Sequence, residues 1–178
     1  MSFLNVDHKK AEDTNNLFPK GNYEMMTYEV KMDASKSGYQ CMRFNFIVRK
    51  DLDKALPDTN GKGHGRHYWA NVWTAKDENG NDSGQFKQSD LQNIAKAYDI
   101  PDGTEIKSED DFMQMLVGKT VRIYINLGDH EYQGTKSKQN STFTNSWQPT
   151  KFPLKGAPKD PFASSGDTVD IDDNNLPF

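Results

Sequence analysis

A mainly β protein, a small five-stranded barrel with a helical insertion, is the fold class this sequence predicts, and three observations predict it. Three segments of alternating apolar and polar residues come first, then two stretches of helical periodicity, then two further strand-like segments. Glycine-rich and asparagine-rich turns punctuate the joins. With 178 residues, 34% of them hydrophobic, and a mean hydropathy of -0.92, the chain is long enough for one packed body diluted by polar ends.

Up to Asn16 the chain is polar without a sustained period, and residues 1–16 are read as a flexible N-terminal arm. "LFPKGNY" opens the body. Between Met26 and Met32, the residues Met26, Tyr28, Val30 and Met32 alternate with Thr27, Glu29 and Lys31, the period of a half-buried strand. "DASKSG" turns the chain, with Gly38 free to take a positive φ. In "YQCMRFNFIVRK" the core face is Met42, Phe44, Phe46 and Val48, and the opposite, largely cationic face is Arg43, Asn45, Ile47 and Arg49. A long loop, "DLDKALPDTNGKGHGR", leads to the third strand, "HYWANVWTA", which an Asn79-Gly80 turn ends.

The period then changes. "SDLQNIAKAYDI" sets Leu91, Ile94, Ala95 and Tyr98 on one helical stripe behind a Ser89 or Asp90 cap, and "SEDDFMQMLVG" repeats the pattern with Ser108 and Asp111 resembling a capping box. Gly118 suits a helix terminator. "KTVRIYINL" is the fourth strand, with Val121, Ile123, Ile125 and Leu127 inward, and "STFTNSW" is expected as a short fifth strand after a polar loop holding "TKSKQN". Three strands, helices, then two strands is the order of the OB-fold, a five-stranded Greek-key barrel, here assigned to residues 17–150. A β-sandwich would need about seven strands.

Five prolines from Pro149 onward mark residues 151–178 as a disordered linker and acidic tail. Gly156 to Phe178 holds one lysine and five aspartates, so the net charge of -4 belongs to this segment and the remainder, with 21 basic and 21 acidic residues, is neutral. A basic surface on the body is compatible with that balance. The single cysteine, Cys41, and the absence of a signal-like or membrane-spanning apolar run make a soluble, cytoplasmic protein the expectation.

An OB-fold binds ligands across its second and third strands and the adjoining loops. There "KGHGRHYWANVW" interleaves Lys62, His64, Arg66 and His67 with Tyr68, Trp69 and Trp73. Cations follow a phosphate backbone and aromatic faces stack unpaired bases, so this inventory matches what single-stranded nucleic acid requires. Alternation places Tyr68, Ala70, Val72 and Thr74 inward, and Trp69, Asn71 and Trp73 outward beside Arg43, Asn45 and Arg49. Arg122 and Tyr124 of the fourth strand extend the surface, Lys136 and Lys138 add charge near it, and Trp147 suits either stacking or closing the barrel.

His64 and His67 are spaced as H-x-x-H, but no set of three or four zinc ligands accompanies them, so no metal or other cofactor is assigned. No phosphate-binding glycine loop, dinucleotide fingerprint or serine elbow occurs, and no paired acid and base stands out. A non-enzymatic binding protein is the reading. The alternatives are an OB-fold adaptor or recombination accessory factor without direct DNA binding, and a metal-dependent nuclease.

The chain ends "DTVDIDDNNLPF". This resembles the acidic tip of bacterial single-stranded DNA-binding proteins, which commonly ends in aspartates, then Leu or Ile, then Pro-Phe. The resemblance implies that Phe178 anchors in an apolar pocket of a partner, with Pro177 and Leu176 shaping its approach and Asp172 and Asp173 meeting a basic patch. Asn174 and Asn175 depart from the family's acids, which weakens steering and leaves the anchor. The body, through "LFPKGNYEMMTYEVKM" and "SGYQCMRFNFIV", is similar to single-stranded DNA-binding proteins of bacteriophages of Gram-positive hosts, over Leu17 to Thr150. That similarity implies a protein that coats single-stranded DNA during phage replication or recombination in the host cytoplasm. Its tail would recruit replication, recombination or repair proteins, and it would need no membrane. Homo-oligomerisation and the choice between DNA and RNA stay open.

Overall fold

The computed structural model describes residues 17–155. The N-terminal arm read over 1–16 and the acidic tip, with Asp172, Asp173, Leu176, Pro177 and Phe178, lie outside the described residues. The body is mainly β. Strands β1 (Gly21–Ala34), β2 (Gln40–Val48) and β3 (His67–Trp73) precede helices α1 (Gln88–Ala97) and α2 (Glu109–Leu116), and β4 (Thr120–Tyr132) and β5 (Thr135–Ser141) follow. They form one antiparallel five-stranded sheet in the order β3-β2-β1-β4-β5.

The first strand is twice as long as its alternating core suggested, and it is shared. Gly21–Met26 pairs with β4, and Met25–Ala34 pairs with β2. Between Thr27 and Glu29 the register shifts, so one extra residue, Tyr28, enters the strand. A bulge reverses which alternate residues face the core. Tyr23, Met25 and Thr27 are therefore buried before it and Val30 after it, and Tyr28, expected inward, is exposed. The expectation followed one parity through a strand that has two.

Alternation is strict in β3; in β2 the core face is as expected, but Cys41 and Asn45 on the opposite face are buried as well. Met42, Phe44, Phe46 and Val48 meet Tyr68, Ala70, Val72 and Thr74 in the interior, joined by Val121, Ile123 and Ile125 of β4. The helices close one side through Ile94, Phe112 and Leu116. Ser108 caps α2, its Oγ accepting from Asp111 N at 3.1 Å, and Gly118 takes φ 78° just beyond the helix. The first helix differs from expectation. It begins one residue before Ser89 with no side-chain cap, because the Asp90 carboxylate instead accepts from Thr144 Oγ1 at 2.5 Å.

The last strand also differs. "TKSKQNS" is β5, and Thr144–Ser146 within "STFTNSW" is a 3-10 turn. Gln133 and Gly134 join β4 to β5 with φ of 50° and 78°, the positive pair of a tight hairpin turn. The outer half of this hairpin is exposed on both faces, so no hydrophobic alternation marks it. After the turn, Trp147 inserts edge-on against Phe44 and Phe46, at 5.0 and 5.4 Å between centroids, and its Nε1 donates to Thr142 Oγ1. Gln148 then bridges to Arg122 on the edge of β4 away from β1.

Burial pushes the Tyr68 phenol from its ordinary 10.0 up to about 12, and Tyr98 moves in the same direction. A folded-state value above the unfolded one contributes stability that is whole below pH 10 and lost as pH climbs toward 12. Tyr68→Phe should flatten part of this alkaline loss, measured as urea midpoints against pH. An unchanged pH profile would mean the Tyr68 phenol is not neutralised by burial.

Among the described residues, no helix is long and apolar enough to cross a membrane.

Candidate functional site

On the outer face of β1, β2 and β3 the structure gathers five of the fourteen residues expected to bind nucleic acid: Arg43, Asn45, Trp69, Asn71 and Trp73. Register pairs Arg43 with Asn71, Asn45 with Trp69, and Cys41 with Trp73 across β2 and β3. Because β3 alternates strictly, His67, Trp69, Asn71 and Trp73 all face out, and the two tryptophans are 54% and 43% exposed. Large rings left in water on a rigid strand are the exception that needs a reason.

These rings are held in a fixed row. His67 stacks on Trp69 at 5.6 Å and 22° between planes, and Tyr28 meets His67 edge-on at 5.5 Å. The His67 ring is set by a hydrogen bond from its Nδ1 to Asn45 Oδ1 at 2.7 Å, which requires the proton on Nδ1. Asn45 is buried beneath and acts by orienting that ring. The bulge in β1 is what brings Tyr28 to this face. Such a row presents flat apolar surface that a planar aromatic ligand can cover.

The charges on this face are largely neutralised. Arg43 donates to Asp33 at 2.6 Å, and Lys31 pairs with Glu29 at 3.2 Å. The Ala34 backbone N–H and the Arg43 guanidinium hold the Asp33 carboxyl below its ordinary range. Cys41 lies buried here, and burial pushes its thiol up.

The glycine-rich loop before β3 is a structured element. Pro57–Gly61 forms a π-helical turn around Asn60, which is fully buried. Asn60 Oδ1 accepts from Glu24 N at 3.0 Å, and its Nδ2 donates to Glu24 O at 2.7 Å and Arg49 O at 3.0 Å. Lys62 pairs with Asp58 at 3.3 Å, His64 Nδ1 contacts the Asp53 carboxylate, and the Arg66 guanidinium lies 4.0 Å over the Phe18 ring. His64 and His67 thus serve different neighbours. Among the described residues no three His, Cys, Asp or Glu side chains converge on one point.

Besides the buried Asn45, two more expected contacts leave the surface. Arg49 is buried, doubly bonded to Asp51 and donating to Phe152 O. The Glu24 carboxylate, also buried, accepts from Thr150 Oγ1 at 2.5 Å and Lys151 N at 3.1 Å. Arg49 and Glu24 therefore strap Thr150–Phe152 onto the sheet, and packing continues past residue 150. Trp147 is the second, its ring spent on Phe44 and Phe46. Its position closes the interior and offers no stacking face.

Arg122 and Tyr124 are half-buried and pair in register with Glu24 and Asn22 of β1, so Arg122 stands opposite the residue that holds Thr150 and Lys151. Lys136 and Lys138 stand exposed on the β4–β5 hairpin, without an ion pair among the described residues. Three exposed aromatic residues, Tyr28, Tyr132 and Phe143, were not among the residues expected to bind.

No curated protein matches the chain. A family described as "Protein of unknown function (DUF669)" matches residues 4–152, which include all five strands and both helices. The chain belongs to that family.

Proposed function

We infer that the protein binds single-stranded DNA across the solvent face of β1, β2 and β3, and that its acidic C-terminal tip recruits replication, recombination or repair proteins. The observation that carries the reading is the exposed row Tyr28, His67 and Trp69, with Trp73 beside it on β3. Unpaired bases stack on such rings, each contributing roughly 1–3 kcal/mol. Duplex bases already stack on each other and offer no free face. The topology supports the same reading: β1 is shared between β2 and β4, the order is β3-β2-β1-β4-β5, and the helices fall between β3 and β4. We read this order as a partly open OB-fold barrel, a fold whose β2–β3 face and β1–β2 and β4–β5 loops bind oligonucleotides.

The ion pairs on the face make stacking the main source of affinity, and leave phosphate contact to cations at the margin. Lys136 and Lys138 are exposed on the hairpin, in register with Glu131 and Asp129, and are the cations to test. If each meets one phosphate, the Lys136→Ala, Lys138→Ala double variant should reduce the slope of log affinity against log salt by about 1.4. A slope equal to that of the unmodified protein would remove the hairpin from the strand's path.

One observation favours a second reading. A near-neutral aromatic face also suits a protein partner, as in an adaptor. The two are separated by oligonucleotide titration, since an adaptor shows no saturable, salt-dependent binding of DNA.

A further inference from the structure

Beside β3, and apart from the row at Trp69, a groove of about 950 Å³ runs between β3, the start of α1 and the segment from Thr142 to Trp147. Its volume is at the upper end of the roughly 300–1,000 Å³ usual for ligand pockets. Trp73 lines one part and Phe143 another, and Phe143, two residues beyond the end of β5, is 67% exposed. Three amides, Asn71, Asn93 and Asn145, also line it, and none of their side chains makes a hydrogen bond among the described residues.

The charge of the groove favours an anionic ligand. Lys76 and Lys87 line it with a single carboxylate, Asp90, and that carboxylate is engaged by Thr144 Oγ1 at 2.5 Å. Aromatic faces, unengaged amides and a small positive excess are the three things an unpaired nucleotide uses: a ring to stack on, donors and acceptors for the base edge, and a cation for phosphate. Asparagine amides carry both a donor and an acceptor, so they distinguish bases by the pattern of their edges.

We propose that this groove is a base-reading subsite for the strand bound on the adjoining sheet face. Trp73 lies at the junction, on the same strand face as Trp69 and in the lining of the groove. A strand crossing Trp69 reaches the groove by passing Trp73. The sheet face stacks any base, and the groove discriminates among them. The inference rests on the proposed binding of single-stranded DNA.

The test is equilibrium binding of the full-length protein to oligo-dT, oligo-dC and oligo-dA, for the unmodified chain, Phe143→Ala, Phe143→Leu, the Asn93→Ala, Asn145→Ala double variant, and Trp69→Ala. Phe143→Ala should weaken binding about tenfold. Phe143→Leu, which keeps apolar bulk without an aromatic face, should weaken it as well. The double asparagine variant should narrow the spread of affinities among the three oligonucleotides, whereas Trp69→Ala should weaken all three alike and preserve the spread. Unchanged affinity in both Phe143 variants, with Trp69→Ala still weakened, overturns the groove and leaves the sheet face standing. A spread untouched by the asparagine changes overturns base reading. Loss of effect in every variant, Trp69→Ala included, overturns both proposals together.

Discussion

Replacing Trp69 with alanine is expected to weaken binding of a pyrimidine oligonucleotide by about 1–3 kcal/mol, roughly five- to 150-fold, with no comparable loss of stability. The asymmetry follows from where the ring sits. Trp69 is more than half exposed, and its ring contact is the parallel face of His67. Removing it costs little packing and removes a stacking platform. It also leaves His67 without the ring that stacks on it, so the row loses order as well as area. Trp69→Phe should retain much of the affinity, because a smaller aromatic face remains. The measurement is anisotropy of a labelled oligonucleotide, alongside urea denaturation of each variant. Unchanged affinity in a folded Trp69→Ala protein would remove the row from the binding surface.

The second large effect concerns stability. Asn60→Ala should destabilise the fold by about 3 kcal/mol, seen as a lower urea midpoint with an unchanged slope. Asn60 is fully buried and serves three backbone groups, Glu24 N, Glu24 O and Arg49 O. After truncation Glu24 O keeps its bond from Arg49 N at 3.1 Å, but Glu24 N and Arg49 O lose theirs. Buried groups left unpaired cost roughly 1–3 kcal/mol each, which sets the size of the loss. Asn60→Asp should not rescue it, since a carboxylate keeps the acceptor and loses both donors. A loss well under about 1 kcal/mol would mean that water replaces the amide. The residue also anchors the loop carrying Lys62, His64 and Arg66, so its loss should loosen the end of the face nearest His67.

These two residues also mark what a single sequence can and cannot reveal here. Trp69 was legible because β3 alternates without interruption, and seven residues of strict period fix which rings face out. Asn60 was not, because its partners are backbone groups 36 and 11 residues away, and nothing in "PDTNGKG" distinguishes a buried asparagine from a turn asparagine. Tyr28 was misassigned because a bulge adds one residue without changing composition, and every inward or outward assignment across it inverts. β5 was displaced toward "STFTNSW" because the hairpin projects into solvent on both faces and carries no hydrophobic period. Arg49 had the parity of a surface cation, but residues a hundred positions later fold over it. Local periods record which face meets the core. They do not record what a distant segment lays on the other face.

Whether the exposed aromatic face receives unpaired bases is tested most directly by the intrinsic tryptophan fluorescence of the full-length protein during titration with a pyrimidine oligonucleotide at low and moderate salt. Trp147 is buried, so Trp69 and Trp73 are the tryptophans a bound base can reach. Saturable quenching is expected at both salt concentrations, with weaker binding at the higher one and a smaller amplitude in Trp69→Ala, where Trp73 is the exposed tryptophan that remains. Unchanged fluorescence together with no binding by anisotropy would contradict single-strand binding and leave the aromatic face to a protein partner.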